Sequence, residues 1–219
     1  MHRMFPVILG AILAAFPIAA NGAAETVELV SVWNPSGQPP DGCSPGLTGD
    51  GRSTKWVVVD SRPEGGRGVA ETSADPTDYR FPMCIVDSPA YADLTDVDVS
   101  VRFRPIAGKV DQAGGIAIRV KDDLNYYVVR ANALENNVRL YSVVNGDRRQ
   151  FAGIDARVTS NQWHTLRLRV VGDRFSVSFD GAALFEATDQ RITGPGRIAL
   201  WSKADSVTEF VDLAIERLP

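Results

Sequence analysis

Arg119, Arg130 and Arg139, with Tyr126 and Tyr141 among them, recur on successive stretches in which apolar and polar residues alternate. A guanidinium is a planar fork of five donors, and a phenol is a flat apolar ring with a polar tip. That pair of chemistries suits a polyhydroxylated ring, which needs donors for its hydroxyls and a flat surface for its C–H faces. The polar connection ANALENN (131–137) adds Asn132, Glu135, Asn136 and Asn137, and WSKADS (201–206) puts Trp201, Lys203 and Asp205 at alternate positions. Glu135 and Asp205 are the carboxylates of this set with general-base chemistry. The same residues also read as a solvated sheet face with Asx turns at its ends.

Other chemistries find less support. There is no Cys/His constellation for a metal, no G-x-S-x-G elbow and no phosphate-cradling glycine loop. His164, beside Trp163, reads as a hydrogen-bonded structural residue. Asp122, Asp123 and Asn125 offer oxygens of the kind Ca²⁺ takes, without a full ligand spacing, and read first as a turn. No cofactor is expected beyond that loop. The two cysteines, Cys43 and Cys84, read as one disulfide. Closing a loop of some forty residues contributes roughly 3 to 4 kcal/mol on the chain-entropy view.

The first residues carry Arg3, then an apolar run, then Ala19-Ala20-Asn21-Gly22-Ala23-Ala24. A basic start, a short apolar stretch and small residues spell a signal peptide over 1–22. The expectation is a secreted or periplasmic protein that is not inserted in the membrane after cleavage. The formal charge of −4 falls to −5 when Arg3 goes with that leader. Without a Lys/Arg-rich tract, nucleic acid is not an expected partner. The oligomeric state stays open.

Positioning such residues takes strands. A loop-rich segment, 23–53, dense in Pro, Gly and Asp, precedes a domain over 54–219. After residue 95 the period is almost wholly two: VDVSVRF (97–103), GGIAIRV (114–120), YYVVRA (126–131), VRLYSVV (138–144), WHTLRLRVVG (163–172), RFSVSFDG, ALFEATD, GRIALWSK and VTEFVDLAIERL. Asn145-Gly146, Gly172-Asp173 and Asp180-Gly181 are hairpin signals. Many short strands with one apolar face each predict an all-β, two-sheet antiparallel sandwich of jelly-roll type.

The order GGIAIR, NYY, WHTLRLRVVGDRFSVSFDGAALFEATD, GRIALWSKADSVTEFVDLAI resembles the concanavalin A-like lectin/glucanase superfamily. Within it, the chain is similar to secreted bacterial proteins grouped with 3-keto-disaccharide hydrolases and laminin-G-like domains, over roughly 54–218. The resemblance implies a concave sheet on which a carbohydrate or glycoside lies. Segments 97–104, 114–120, 126–132 and 138–144 are expected to form it. Alternation then puts Arg102, Arg104, Arg119, Tyr126, Arg130, Arg139 and Tyr141 on its open face. Arg119, Tyr126, Arg130, Arg139 and Tyr141 form the floor, and Asn132, Glu135, Trp201, Lys203 and Asp205 the rims. Three functions follow: carbohydrate binding, cleavage of a glycoside of the 3-keto type with Glu135 or Asp205 as base, and a structural or adhesive module. Where the hydrolases carry a His-Gly-type element and a Ser before Gly-Ile, this chain has Ser202-Lys203-Ala204 and Gly114. The paired-carboxylate strand of the glucanases does not occur.

Overall fold

The computed structural model describes residues 25–27, 29–30, 34–61 and 66–219. The expected leader, 1–22, lies outside them. The strands are β1 (Glu25–Thr26), β2 (Cys43–Gly49), β3 (Trp56–Asp60), β4 (Arg67–Glu71), β5 (Arg80–Val86), β6 (Val97–Ala107), β7 (Ala113–Asp122) and β8 (Asn125–Asn132). They continue with β9 (Asn137–Val144), β10 (Asp147–Asp155), β11 (His164–Val171), β12 (Arg174–Phe179), β13 (Ala182–Thr188), β14 (Arg197–Ser202) and β15 (Val207–Arg217). One sheet runs β13-β12-β11-β6-β15-β4-β3, with β1 added to β15, and the other runs β10-β9-β8-β7-β14-β5-β2. All the pairings within these two sheets are antiparallel. The all-β sandwich expected from the alternation is what forms.

The strands lie close to the periodic segments because each period-two run has an apolar face to bury. Val97, Val99, Val101 and Phe103 of β6 pack with Ile116 and Ile118 of β7 and with Tyr127 and Val129 of β8 in the core between the sheets. Asn145-Gly146 and Asp180-Gly181 close two-residue hairpins, both residues of each at positive φ, as the right-handed strand twist requires.

Three placements differ from the expectation. Strand β6 does not join β7, β8 and β9; it sits between β11 and β15 in the other sheet. Arg102 and Arg104 therefore lie away from Arg130. They pair with Asp212 (3.2 Å) and Glu209 (2.5 Å) and lie over the Trp163 ring. Arg119 leaves the open face as well. The β7–β8 register shifts between Ile118 and Asp122, and Arg119 takes a φ of 49°. Its buried guanidinium caps carbonyls of Thr95, Gly172 and Ile192. Finally, the loop-rich N-terminal segment supplies β2, which pairs with β5. The Cys43–Cys84 disulfide joins these two neighbours, with Cα atoms 5.4 Å apart.

Strands β5, β7, β8 and β14 of the seven-stranded sheet are buried on both faces. Its far face carries Phe81, Met83, Ala117, Tyr126, Val128, Tyr141, Val143 and Trp201, a second apolar cluster. The sheet curls over that cluster, bringing Arg148 of β10 against Phe81 of β5 and Trp201 of β14. Tyr79, just before β5, donates to the Gly146 carbonyl of the β9–β10 turn, and Thr48 of β2 donates to the Asp123 carbonyl of the β7–β8 turn.

Candidate functional site

At one end of this curled sheet the apolar cluster gives way to charge. Arg130 of β8 faces Arg139 of β9 on one side and Gly115 of β7 on the other, and Gly115 faces Trp201 of β14. Arg130, Arg139 and Trp201, three of the expected positions, thus share one neighbourhood, with a fourth, Tyr141, two residues along β9. Gly115 is required there: a Cβ would stand 2.5 Å from the Val129 carbonyl oxygen and 3.0 Å from the Arg130 Cβ.

The Arg130 guanidinium organises the polar end. It donates to Asn137 Oδ1, to Glu135 Oε2 at 2.7 Å and to Tyr141 Oη at 3.0 Å. Asn137 Nδ2 returns a bond of 3.1 Å to the same Glu135 oxygen. Arg130 itself is 4% exposed, and its Nε is buried without an acceptor. Burial raises the Glu135 carboxyl, but the Arg130 charge and the bonds from Asn137 and Arg130 outweigh it and hold the group below its ordinary range. Arg139 reaches outward to Asp155 at 2.6 Å.

A second cluster adjoins it. Lys203 Nζ lies 2.6 Å from Asp78 and 2.8 Å from Asp111. Asn132 Nδ2 donates to the other oxygen of Asp111 at 2.7 Å, while its Oδ1 accepts the N–H groups of Leu134 and Glu135 and shapes the loop. Burial pushes the Asp111 carboxyl up, against the opposing pull of Lys203. Asp205 accepts the N–H groups of Lys109, Val110 and Asp111 within 3.0 Å. It pins the loop that carries Asp111, so its carboxylate is committed to backbone.

Trp201 and Tyr126 lie in the apolar half and are fully buried. Trp201 stacks on Phe81 at 5.4 Å and donates to Tyr126 Oη, which also bonds Thr48. Burial pushes the Tyr126 phenol up to about 12. These two residues support the site from beneath and present no free ring. Arg148 of β10 covers them, its Cζ 4.5 Å from the Phe81 ring centre, 4.4 Å from Tyr141 and 5.9 Å from Trp201.

Sequence reasoning missed Asp78, Asp111 and Arg148. Arg148 carried a signal, since it follows the Asn145-Gly146 hairpin turn by two residues and belongs to the return strand. Asp78 and Asp111 sit in irregular segments, where no periodicity points. Elsewhere, Asp122 caps its own turn through Leu124 N and Asn125 Nδ2, and His164 is held between Asp180 Oδ2 (2.7 Å) and Thr159 (3.0 Å). Among the described residues no group of three or more His, Cys, Asp and Glu side chains converges as a cation site.

Residues 83–218 match the model of the galactocerebrosidase C-terminal lectin domain family. Among solved structures, the chain is similar to carbohydrate-binding module CBM66 from Bacillus subtilis, at 20% identity and a TM-score of 0.60, covering 74% of this chain and 94% of that one. A Bacillus subtilis protein of unknown function with a galectin-like fold aligns at 12% identity and 0.56, covering 90% and 97%. The exoplasmic/lumenal domain of VIP36, in its Ca²⁺/Man-bound form, aligns at 12% and 0.52, covering 80% and 82%. A search of curated proteins finds no match. The solved sandwiches share the fold, and the family match places the chain in the galactocerebrosidase C-terminal lectin domain family, of the concanavalin A-like, lectin type.

Proposed function

We propose that this chain is an exported carbohydrate-binding domain whose ligand sits at the polar end of the curled sheet. The observation that carries the reading is the meeting of Arg130, Glu135, Asn137 and Tyr141 with the Lys203–Asp111–Asp78 cluster, beside an aromatic patch under Arg148. Fixed donors and acceptors held on a rigid, buried aromatic base are what a sugar's hydroxyls require. Membership of a lectin-domain family and likeness to a carbohydrate-binding module support it. The basic-apolar-small leader and the cross-strand disulfide support export to an oxidising compartment. Calorimetric titration against neutral and charged oligosaccharides tests the reading. Saturable binding, lost in a folded Arg130→Ala variant, is the expected result; no binding to any saccharide overturns it.

A second reading, cleavage of a glycoside, is favoured by one observation. Asp111 and Glu135 are neighbouring carboxyls pushed in opposite directions, the first up by burial, the second down by Arg130 and Asn137. Such a split is how one site holds an acid and a base together. In that reading Asp111 is the acid and Glu135 the base. Mass spectrometry of oligosaccharides and their 3-keto derivatives after incubation decides: new products lost in Asp111→Asn establish an enzyme, and intact substrates leave the binding reading alone.

A further inference from the structure

Arg148 differs from the other cations of the site. Arg130 is paired with Glu135, Arg139 with Asp155, and Lys203 with Asp78 and Asp111. Arg148 forms no ion pair among the described residues; its charge rests on the faces of Phe81 and Tyr141. Its Nη1 is buried without an acceptor, and so is Nε of Arg130. Both guanidinium groups lie against the Tyr141 ring, at 5.6 Å and 4.4 Å from its centre. Two unspent donors, each on a cation, therefore flank one aromatic residue.

A sugar hydroxyl would satisfy such an N–H but leave Arg148 without an ion pair, its charge met only at longer range by Asp78, which is bonded to Lys203. A carboxylate does both, and its planar pair of oxygens matches the guanidinium fork. The acidic groups nearby do not fill this role. Glu135 is held by Arg130 and Asn137, and Asp78 by Lys203. Asp111 is held by Lys203 on one oxygen and by Asn132 on the other. Arg148 is half-buried on an edge strand, so part of its side chain stays within reach of a ligand.

We infer that the saccharide taken by this site is acidic, a chain carrying hexuronate carboxylates, and that Arg148 selects the charge. The inference rests on the carbohydrate reading above and narrows it. The test is calorimetric titration of the full chain with an oligogalacturonide, its methyl ester and a neutral galacto-oligosaccharide. The ester keeps the sugar and removes only the charge. The free acid should bind at least about tenfold tighter than the ester, the worth of one charge-assisted hydrogen bond. The gap should narrow with added salt, and Arg148→Gln should abolish it. Equal affinity for acid and ester overturns the inference, as does a gap that survives in a folded Arg148→Gln protein. If that variant fails to fold, the acid–ester comparison on the unaltered chain decides alone. Preference for a sulfated galactan over the galacturonide overturns the carboxylate assignment. Binding of the neutral sugar with no acid preference sinks this inference and leaves the carbohydrate reading standing. If no saccharide binds, both fall.

Discussion

Lys203 Nζ stands 2.8 Å from the Asp111 carboxylate, and Asp111 is wholly buried while Lys203 keeps 11% of its side chain in contact with solvent. The pair is anchored from both sides, by Asn132 on Asp111 and by Asp78 on Lys203. Removing one partner of a buried pair costs more than the pair itself contributes, because the other charge is stranded. Asp111→Ala should destabilise the domain by about 3 kcal/mol, and Asp111→Asn, which keeps an acceptor for Asn132, by distinctly less. Urea unfolding of the two variants checks the order.

Arg80 and Glu71 form a deeper link. Arg80 of β5 and Glu71 of β4 belong to different sheets, both are fully buried, and they meet at 3.4 Å. Arg80 also donates to carbonyls of Arg52, Ser53 and Ala204, and Glu71 accepts from Lys55, Ser73 N and Ser73 Oγ. Arg80→Met should cost about 3 to 5 kcal/mol, lowering the melting temperature by about 10 °C. A fall of only a degree or two would mean that the carbonyls find other donors.

Reduction of Cys43–Cys84, which spans 41 positions, should lower stability by about 4 kcal/mol on the chain-entropy view. Denaturation with and without reductant measures it.

Acid should unfold the domain. Hydrogen bonds from Thr77 and Arg52 hold the Asp75 carboxyl down, and the bond and charge of Lys203 do so for Asp78. Burial raises Asp98, Glu135 and Asp205, but Arg167 and Arg169, Arg130 and Asn137, and backbone N–H groups respectively outweigh it. A carboxyl lowered in the folded state stabilises above its unfolded pKa, about 4, and that stability is lost as pH falls through the folded value. Asp111 runs the other way: its cost applies at higher pH and fades in acid. Five groups against one predict a loss of stability below about pH 4, readable as a falling urea midpoint between pH 5 and 3.

Trp201→Ala and Arg130→Ala should separate support from contact. Trp201 is a fully buried ring, so its truncation should cost about 3 to 5 kcal/mol of stability. Arg130→Ala should also cost stability, since Arg130 is buried and bonded to Asn137, Glu135 and Tyr141, but unlike the Trp201 change it should abolish ligand binding in the protein that still folds. Circular dichroism beside a binding titration distinguishes the two.

Much of this architecture is legible in the chain. VDVSVRF and WHTLRLRVVG announce their inward faces, and Asn145-Gly146 and Asp180-Gly181 mark their own turns. Alternation reports which face of a strand is apolar but not which strand lies beside it. Hence β6 could be recognised as a strand and still be placed in the wrong sheet, with Arg102 and Arg104 carried along. Arg119 was misplaced by a bulge, since one extra residue reverses every side chain beyond it. The run YYVV, apolar on both faces, was the sign that Tyr126 would be covered. That Arg130, Asn132, Glu135, Tyr141 and Lys203 would be neighbours was legible because they lie on or beside regular strands; that Asp78 and Asp111 would join them was not, because contacts across the ends of a sandwich leave no local pattern.

The position of β15 has a bearing on how the molecule is made. Its residues, Val207–Arg217, lie between β6 and β4, in the interior of the eight-stranded sheet. Until a ribosome has passed residue 207, β6 and β4 have nothing to join them, and the core they cover has one wall incomplete. Pairings this distant along the chain are slow to find each other. The sheet should therefore stay open, and its core exposed, until β15 has emerged and docked between its two neighbours.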